Sequence, residues 1–334
     1  MKQLFFILCT LLTPLLAQAG GEDVVIENAR MRLVIGADGA ARSLVLKATG
    51  EECLAAGVRT PICAITQYRP YDNENFLIYP AKPRIFPANR VERRGDRLYV
   101  EFEDTYDIAV IRLDIRDDYV GFALERVDYR IEAYGVKRQT EIDEFALLQL
   151  VVRPREHFGE WLNVVWDDHA AVNLLGTHPG TRIDAYPGEG ATTLYAGLDA
   201  RVGLFGPGAA LVVSSREGLL PAIGQVEQDY DLPRGVESRR NPNYRCSYYS
   251  LRNVTPENID AHIEYARRGG FRTMVVYYVD FARSCGHYGW REEYPNGMED
   301  LRYITDRIRA AGMIPGLHFH YSKVGVHYPY INIG

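Results

Sequence analysis

The chain has 334 residues, 47% hydrophobic and 25% charged, enough to bury the cores of two domains. Its 23 Tyr, 12 Phe and 3 Trp exclude a mainly disordered chain. A formal charge of −6, with no Lys/Arg-rich run, excludes a nucleic-acid reader of the basic-stripe kind.

Residues 1–19 read as a secretory signal peptide. Lys2 supplies the positive end, Leu4 to Leu16 an apolar run too short to span a membrane, and Ala17-Gln18-Ala19 a small-x-small cleavage site. The mature protein is expected to start near Gly20 and to be secreted or periplasmic. No later segment is long and apolar enough for a membrane span. Four cysteines remain: Cys53, Cys63, Cys246 and Cys285. In an oxidising compartment Cys53/Cys63 and Cys246/Cys285 are the simplest pairs; four buried thiols are the alternative. No CxxC is present, and nothing in the sequence calls for a cofactor.

Residues 20–238 carry a period-two signal and predict an antiparallel β-sandwich. Met31, Leu33 and Ile35 alternate with polar residues, and Asp38-Gly39 then marks a hairpin. Leu98, Val100 and Phe102 share one face. Parity switches between Val110 and Ile111, as at a bulge. Gly95-Asp96 is a turn, and Gly206-Pro207-Gly208 is expected to join strands at Val202–Phe205 and Ala209–Ser214. Helical periodicity is almost absent. The segment Trp161 to His169 (WLNVVWDDH) has two readings: Trp166, Asp167 and Asp168 as a sugar-stacking face with hydroxyl acceptors, or a buried Trp strand followed by an Asp turn.

The pattern changes over 239–334. Tyr244 to Leu251 is β-prone, and Thr255-Pro256 opens a helix with Ile259, Ile263 and Ala266 on one stripe. Gly269-Gly270 stops it. Phe271 to Ala282 reads as a strand buried on both faces. Asn296-Gly297-Met298-Glu299 opens a second helix striped by Leu301, Ile304 and Ile308, and Met313 to His320 is a third strand. The position after the first strand (Arg252-Asn253-Val254-Thr255) has no glycine-rich nucleotide turn, which favours the start of a (β/α)8 barrel over a doubly wound sheet.

From Gly270 to His320 the chain resembles the opening of the catalytic barrel of α-galactosidase-like retaining glycoside hydrolases, the clan that includes melibiases. The resemblance lies in the glycine pair, the apolar strand ending in Asp280, Tyr294-Pro295-Asn296-Gly297-Met298, the following Leu/Ile helix ending in a glycine, and the Gly316-Leu317 strand. It implies an N-terminal β-supersandwich, a barrel of which the chain holds three βα units, and hydrolysis of O-glycosyl bonds with retention. Val279-Asp280-Phe281 and Leu317-His318-Phe319-His320 differ from the family's usual strand ends, so the resemblance reaches the architecture and not the sugar.

Barrel active sites lie at the C-terminal strand ends. That selects Tyr249 and Ser250, Asp280, and His320 with Ser322 and Lys323 as carbohydrate-binding candidates. The resemblance gives Asp280 a substrate-binding role; a cap, or an ion pair with Arg283, is its structural alternative. Trp290 is a stacking candidate or a core anchor. The family takes its two catalytic carboxylates from strands four and six, so none is expected before residue 334, and the chain is expected to be a fragment. Two alternatives stay open: a metal-dependent hydrolase using His318 and His320, which share a strand face, and a non-catalytic carbohydrate-binding protein.

Overall fold

Residues 21–68, 83–129 and 141–320 are described by the structure, a computed structural model. The expected signal peptide, Ser322 and Lys323 lie outside the described residues. The chain divides into two compact units, Met1–Val236 and Glu237–Gly334. No described helix is long and apolar enough to cross a membrane.

The first unit is antiparallel β. Strands β1 (Val24–Glu27), β2 (Met31–Ile35), β3 (Ala41–Leu46) and β4 (Glu51–Glu52) form a four-stranded sheet in that order. Twelve further strands form one sheet among the described residues. They are β5 (Ala64–Tyr68), β6 (Pro83–Arg94), β7 (Arg97–Phe102), β8 (Asp107–Ile115), β9 (Val120–Tyr129) and β10 (Glu144–Val152), then β11 (His157–Gly159), β12 (Val164–Trp166), β13 (Ala171–Gly176), β14 (Thr181–Gly188), β15 (Ala191–Asp199) and β16 (Gly208–Ser214). Their spatial order is β11-β12-β13-β16-β9-β8-β7-β6-β5-β10-β15-β14. Side chains from β1 to β3 and from both halves of this sheet meet in a single core, so the long sheet curls over on itself. Phe102 on β7 and Phe145 on β10 meet edge to face at 5.9 Å inside it.

The alternation in the sequence is the buried face of these strands: in β7, Leu98, Val100 and Phe102 are buried and their neighbours half-exposed. The parity switch is a real irregularity, because the β8–β9 register shifts between Val110 and Ile111. The Asp38-Gly39 hairpin joins β2 to β3, with Gly39 at φ +77°.

Three expectations are corrected. Val202–Phe205 is not a strand: Gly203 and Gly206 both have positive φ, and Val202 and Phe205 lie exposed in the loop before β16. A helix, α1 (Arg216–Asp229), was not anticipated. Ser215 caps it by accepting from Gly218 N, and Leu219, Ala222, Ile223 and Val226 bury its inner stripe against Val164, Ala171, Ala210 and Val212. Of the two cysteine readings, the pairings give way to separate thiols: Cys53, Cys63, Cys246 and Cys285 form no disulfide, though only the first two are buried. Cys53 Sγ lies 3.7 Å from Arg155 Nη2, and Cys63 is packed in the core. The Cys246 thiol donates to Pro242 O at 3.4 Å within its own turn, and Cys285 lies beside Tyr288. Each thiol thus has its own local surroundings.

After the short helix α2 (Gly235–Arg240), the second unit is a parallel three-stranded sheet with helical crossovers. In chain order it comprises β17 (Tyr248–Ser250), α3 (Ile259–Arg268), β18 (Thr273–Tyr277), α4 (Tyr278–Phe281), α5 (Met298–Ala310) and β19 (Ile314–His318). The sheet order is β17-β18-β19. Met274 and Val276 pack against the apolar stripes of α3 and α5, so Val276 is fully buried.

The strand expected over 271–282 ends at Tyr277. Its partners end at Ser250 and His318, leaving residues 278–282 without a ladder. Their backbone groups close one helical turn instead, with Ala282 N donating to Tyr278 O at 2.7 Å.

Candidate functional site

The C-terminal ends of β17, β18 and β19 bring together Arg252, Tyr277, Asp280, His318 and His320. Register decides which side chains reach this rim. Tyr277 pairs with His318, and Ser250 with Val275, on the face opposite the helices. The Arg252 guanidinium lies 4.5 Å over the Tyr277 ring, and the His318 ring lies 4.5 Å from Tyr277. His318 and His320 are 5.2 Å apart and edge to face, and His320 also meets Tyr278 at 5.5 Å. The loop after α4 closes over this row. Tyr288, at φ +54°, receives the His320 N–H at 2.8 Å through its hydroxyl and donates to the His320 carbonyl.

Asp280 sits on the α4 turn and is only 7% exposed. Its Oδ1 accepts from Asn253 N at 2.7 Å, while Oδ2 is buried without a hydrogen-bond partner among the described residues. Burial pushes the carboxyl above its ordinary range, against the Asn253 and Tyr277 amides and the charges of Arg252 and Arg291. Asp280 makes no ion pair with Arg283, whose nearest carboxylate is Glu292 at 4.0 Å. The side chain is a cap holding the loop after β17, with one oxygen uncommitted.

Tyr249 is one residue out of phase with the rim. It pairs with Met274, faces α3, packs on Phe271 at 5.6 Å and bonds His262 Nδ1 at 3.2 Å. Trp290 packs on Phe281 at 5.9 Å and Tyr294 at 6.5 Å, with Gly297 against its indole edge, which is the core-anchor arrangement. Among the described residues no group of three His, Cys, Asp or Glu side chains is placed to hold a metal, so His318 and His320 lack a third ligand there.

Sequence reasoning missed Arg252 and Tyr277. Arg252 stands two residues past β17, the signal that selected its neighbours. Tyr277 was hidden in an apolar run read as buried on both faces, whereas only the Met274/Val276 face is buried and the Tyr277 face is half-exposed.

In the first unit, Asp167 takes the turn reading. It accepts from His169 N at 2.8 Å and Ala170 N at 2.9 Å, and binds Arg155 Nη1 at 3.0 Å. Burial opposes its ionisation, but these amides and Arg155 outweigh it and hold the carboxyl below its usual range. Asp168 pairs with Arg216, and Trp166 packs against His157 at 5.1 Å. Trp161, by contrast, is 94% exposed.

No family model matches the chain, and no curated protein matches it. Among solved structures it is similar to an α-galactosidase from Lactobacillus brevis, at 11% identity and TM-score 0.43 over 89% of this chain and 54% of that one. It is also similar to a GH31 sulfoquinovosidase from E. rectale in complex with an aza-sugar inhibitor, at 10% identity and TM-score 0.40 over 87% and 47%. A variant of a Flavobacterium johnsoniae GH31 dextranase complexed with isomaltotriose shares 8% identity, with TM-score 0.29 over 89% and 38%. These are glycoside hydrolases, and the chain spans about half the length of the first two and less of the third.

Proposed function

We propose that this protein is an exported glycoside hydrolase of the α-galactosidase-like kind, acting on O-glycosyl bonds with retention. In this reading β17–β19 are the opening strands of a (β/α)8 barrel, the β-rich unit is its supersandwich, and the rim at the strand ends holds sugar. The observation that carries the reading is the convergence of Arg252, Tyr277, His318 and His320 from three successive parallel strands, the end where such folds bind ligands. An aromatic floor flanked by nitrogen donors suits a sugar ring and its hydroxyls. The role proposed for these residues is substrate holding. Glu292 and Glu293, the carboxylates of the loop before α5, lie against Arg283 and Arg291.

Saturation-transfer NMR of the purified protein with methyl glycosides and short oligosaccharides tests this. Sugar signals should appear and weaken about tenfold in Tyr277→Ala, with unchanged circular dichroism. Absence of any sugar signal, or full binding by the variant, counts against it.

One observation favours a non-catalytic glycan-binding role for the β-rich unit. Phe158, Trp161 and Leu162 are all exposed along β11 and the turn that follows it. Glycan-induced changes in fluorescence that vanish in Trp161→Phe would support that role, and glycan binding untouched by the substitution would remove it.

A further inference from the structure

We infer that the rim at the ends of β17–β19 takes a sugar bearing an anionic substituent, a carboxylate or a sulfate group. This rests on the sugar-binding role proposed above. Three arginines stand in the loops at this end of the sheet. Arg291 is engaged by Glu293 at 3.2 Å and Arg283 lies 4.0 Å from Glu292. Arg252 has no carboxylate within ion-pair distance among the described residues, and its exposed guanidinium lies over the Tyr277 ring.

The backbone beneath Arg252 is fixed. Leu251 and Val254 on either side are fully buried, Asn253 N is held by Asp280, and Asn253 O is held by Asn258 Nδ2 at 2.8 Å. Tyr294 Oη donates to Val254 O at 2.7 Å. A planar donor fork on a pinned loop, already resting against an aromatic ring, loses little freedom when it binds a carboxylate or sulfate edge. His318 adds a buried Nδ1 with no hydrogen-bond partner among the described residues, on the ring beside Tyr277. Of the acids at this end, Glu292 and Glu293 lie against Arg283 and Arg291, and Asp280 is buried with Oδ1 committed to the backbone, so the charge of Arg252 is left facing the rim.

The test is calorimetric titration with matched methyl α-glycosides of the galacto and gluco series: the neutral sugar, its uronate and its 6-sulfate. At least one anionic member should bind about tenfold or more tightly than its neutral partner, and preference for uronate or sulfate identifies the anion. Arg252→Gln should erase the advantage, lowering anionic-sugar affinity about tenfold more than neutral-sugar affinity, Arg252→Lys should keep part of it, and Arg268→Gln on α3 should keep all of it. Equal affinity for neutral and anionic members, or an advantage that survives Arg252→Gln, overturns the inference and leaves sugar binding standing. Failure of every sugar to bind overturns both.

Discussion

Asn253 N donates to Asp280 Oδ1 at 2.7 Å, joining the turn after β17 to the turn after β18. Asn253 is left-handed, at φ +52°, a conformation that a non-glycine residue keeps only when its surroundings hold it. The carboxylate therefore sets where Arg252, one residue earlier, stands.

Removing the acceptor should expose that dependence. Asp280→Ala leaves the Asn253 N–H without its acceptor and should lower the unfolding free energy by about 1–3 kcal/mol. Asp280→Asn retains an acceptor and should cost less. The pH dependence has a definite sign. Burial raises the folded-state carboxyl above its ordinary 3.8. Between the two values the folded state holds more protons, so this group's contribution is full at low pH and is lost as pH rises through the folded value. The stability difference, wild type minus Asp280→Asn, should fall across that window and level off above it. Urea unfolding over a pH series measures it, and a difference that rises with pH contradicts the assignment.

Two glycines with positive φ differ in how much a side chain would disturb. Gly312 has φ +78° and open space where a Cβ would stand; Gly297 has φ +62° with Trp290 Nε1 only 2.8 Å from that position. Gly312→Ala should cost about 1 kcal/mol from the left-handed backbone alone. Gly297→Ala should cost more, about 2–3 kcal/mol, because at ψ −116° its backbone lies outside the left-handed helical well and the indole must also move. Thermal unfolding should rank them so, with the near-ultraviolet Trp signal altered only in Gly297→Ala.

These contrasts show why parts of the chain were readable. Strands with one solvent face, such as β7, write their burial directly into alternating residues, so even the Val110/Ile111 shift was visible. In β18 only the Met274/Val276 face is buried, but the opposite face is also built of Val275 and Tyr277, so the sequence does not alternate and Tyr277 could not be told from its neighbours. Tyr249 lies on the helix face because a slip of one residue moves a side chain there from the rim. Helix α1 was obscured by Pro221 and two glycines, although its stripe of Leu219, Ala222, Ile223 and Val226 has helical spacing. The Arg252–Tyr277 contact joins residues 25 positions apart, and only strand register brings them together.

Arg155 is a buried cation of the first unit. Its side chain is 2% exposed and touches Asp167 at 3.0 Å and Glu51 at 3.3 Å. Arg155→Ala would leave both carboxylates facing a void and should cost about 3 kcal/mol. Arg155→Lys should recover only part, since one ammonium cannot span the positions its two terminal nitrogens occupy. Asp167 also depends on Arg155 for its depressed pKa, so in Arg155→Ala the stability linked to that carboxylate should shrink and be lost at higher pH during acid titration. Chemical unfolding of the three proteins at neutral and acid pH tests the ranking.

The cysteines give the last prediction. With Cys53, Cys63, Cys246 and Cys285 separate, the protein beginning at Gly20, and so without Cys9, should release four equivalents of thiol in denaturant without reductant, and its mass should not change on reduction. In the native state Cys246 and Cys285, both partly exposed, should react first. Cys53 and Cys63 should stay protected: burial pushes the Cys53 thiol up to about 11 despite Arg155 beside it, and burial alone raises Cys63 further. Their modification should therefore follow the opening of the β-rich core, and Arg155→Ala, by loosening the wall around Cys53, should speed its labelling more than that of Cys63. Equal rates at all four sites, or fewer than four thiols in denaturant, would refute the arrangement.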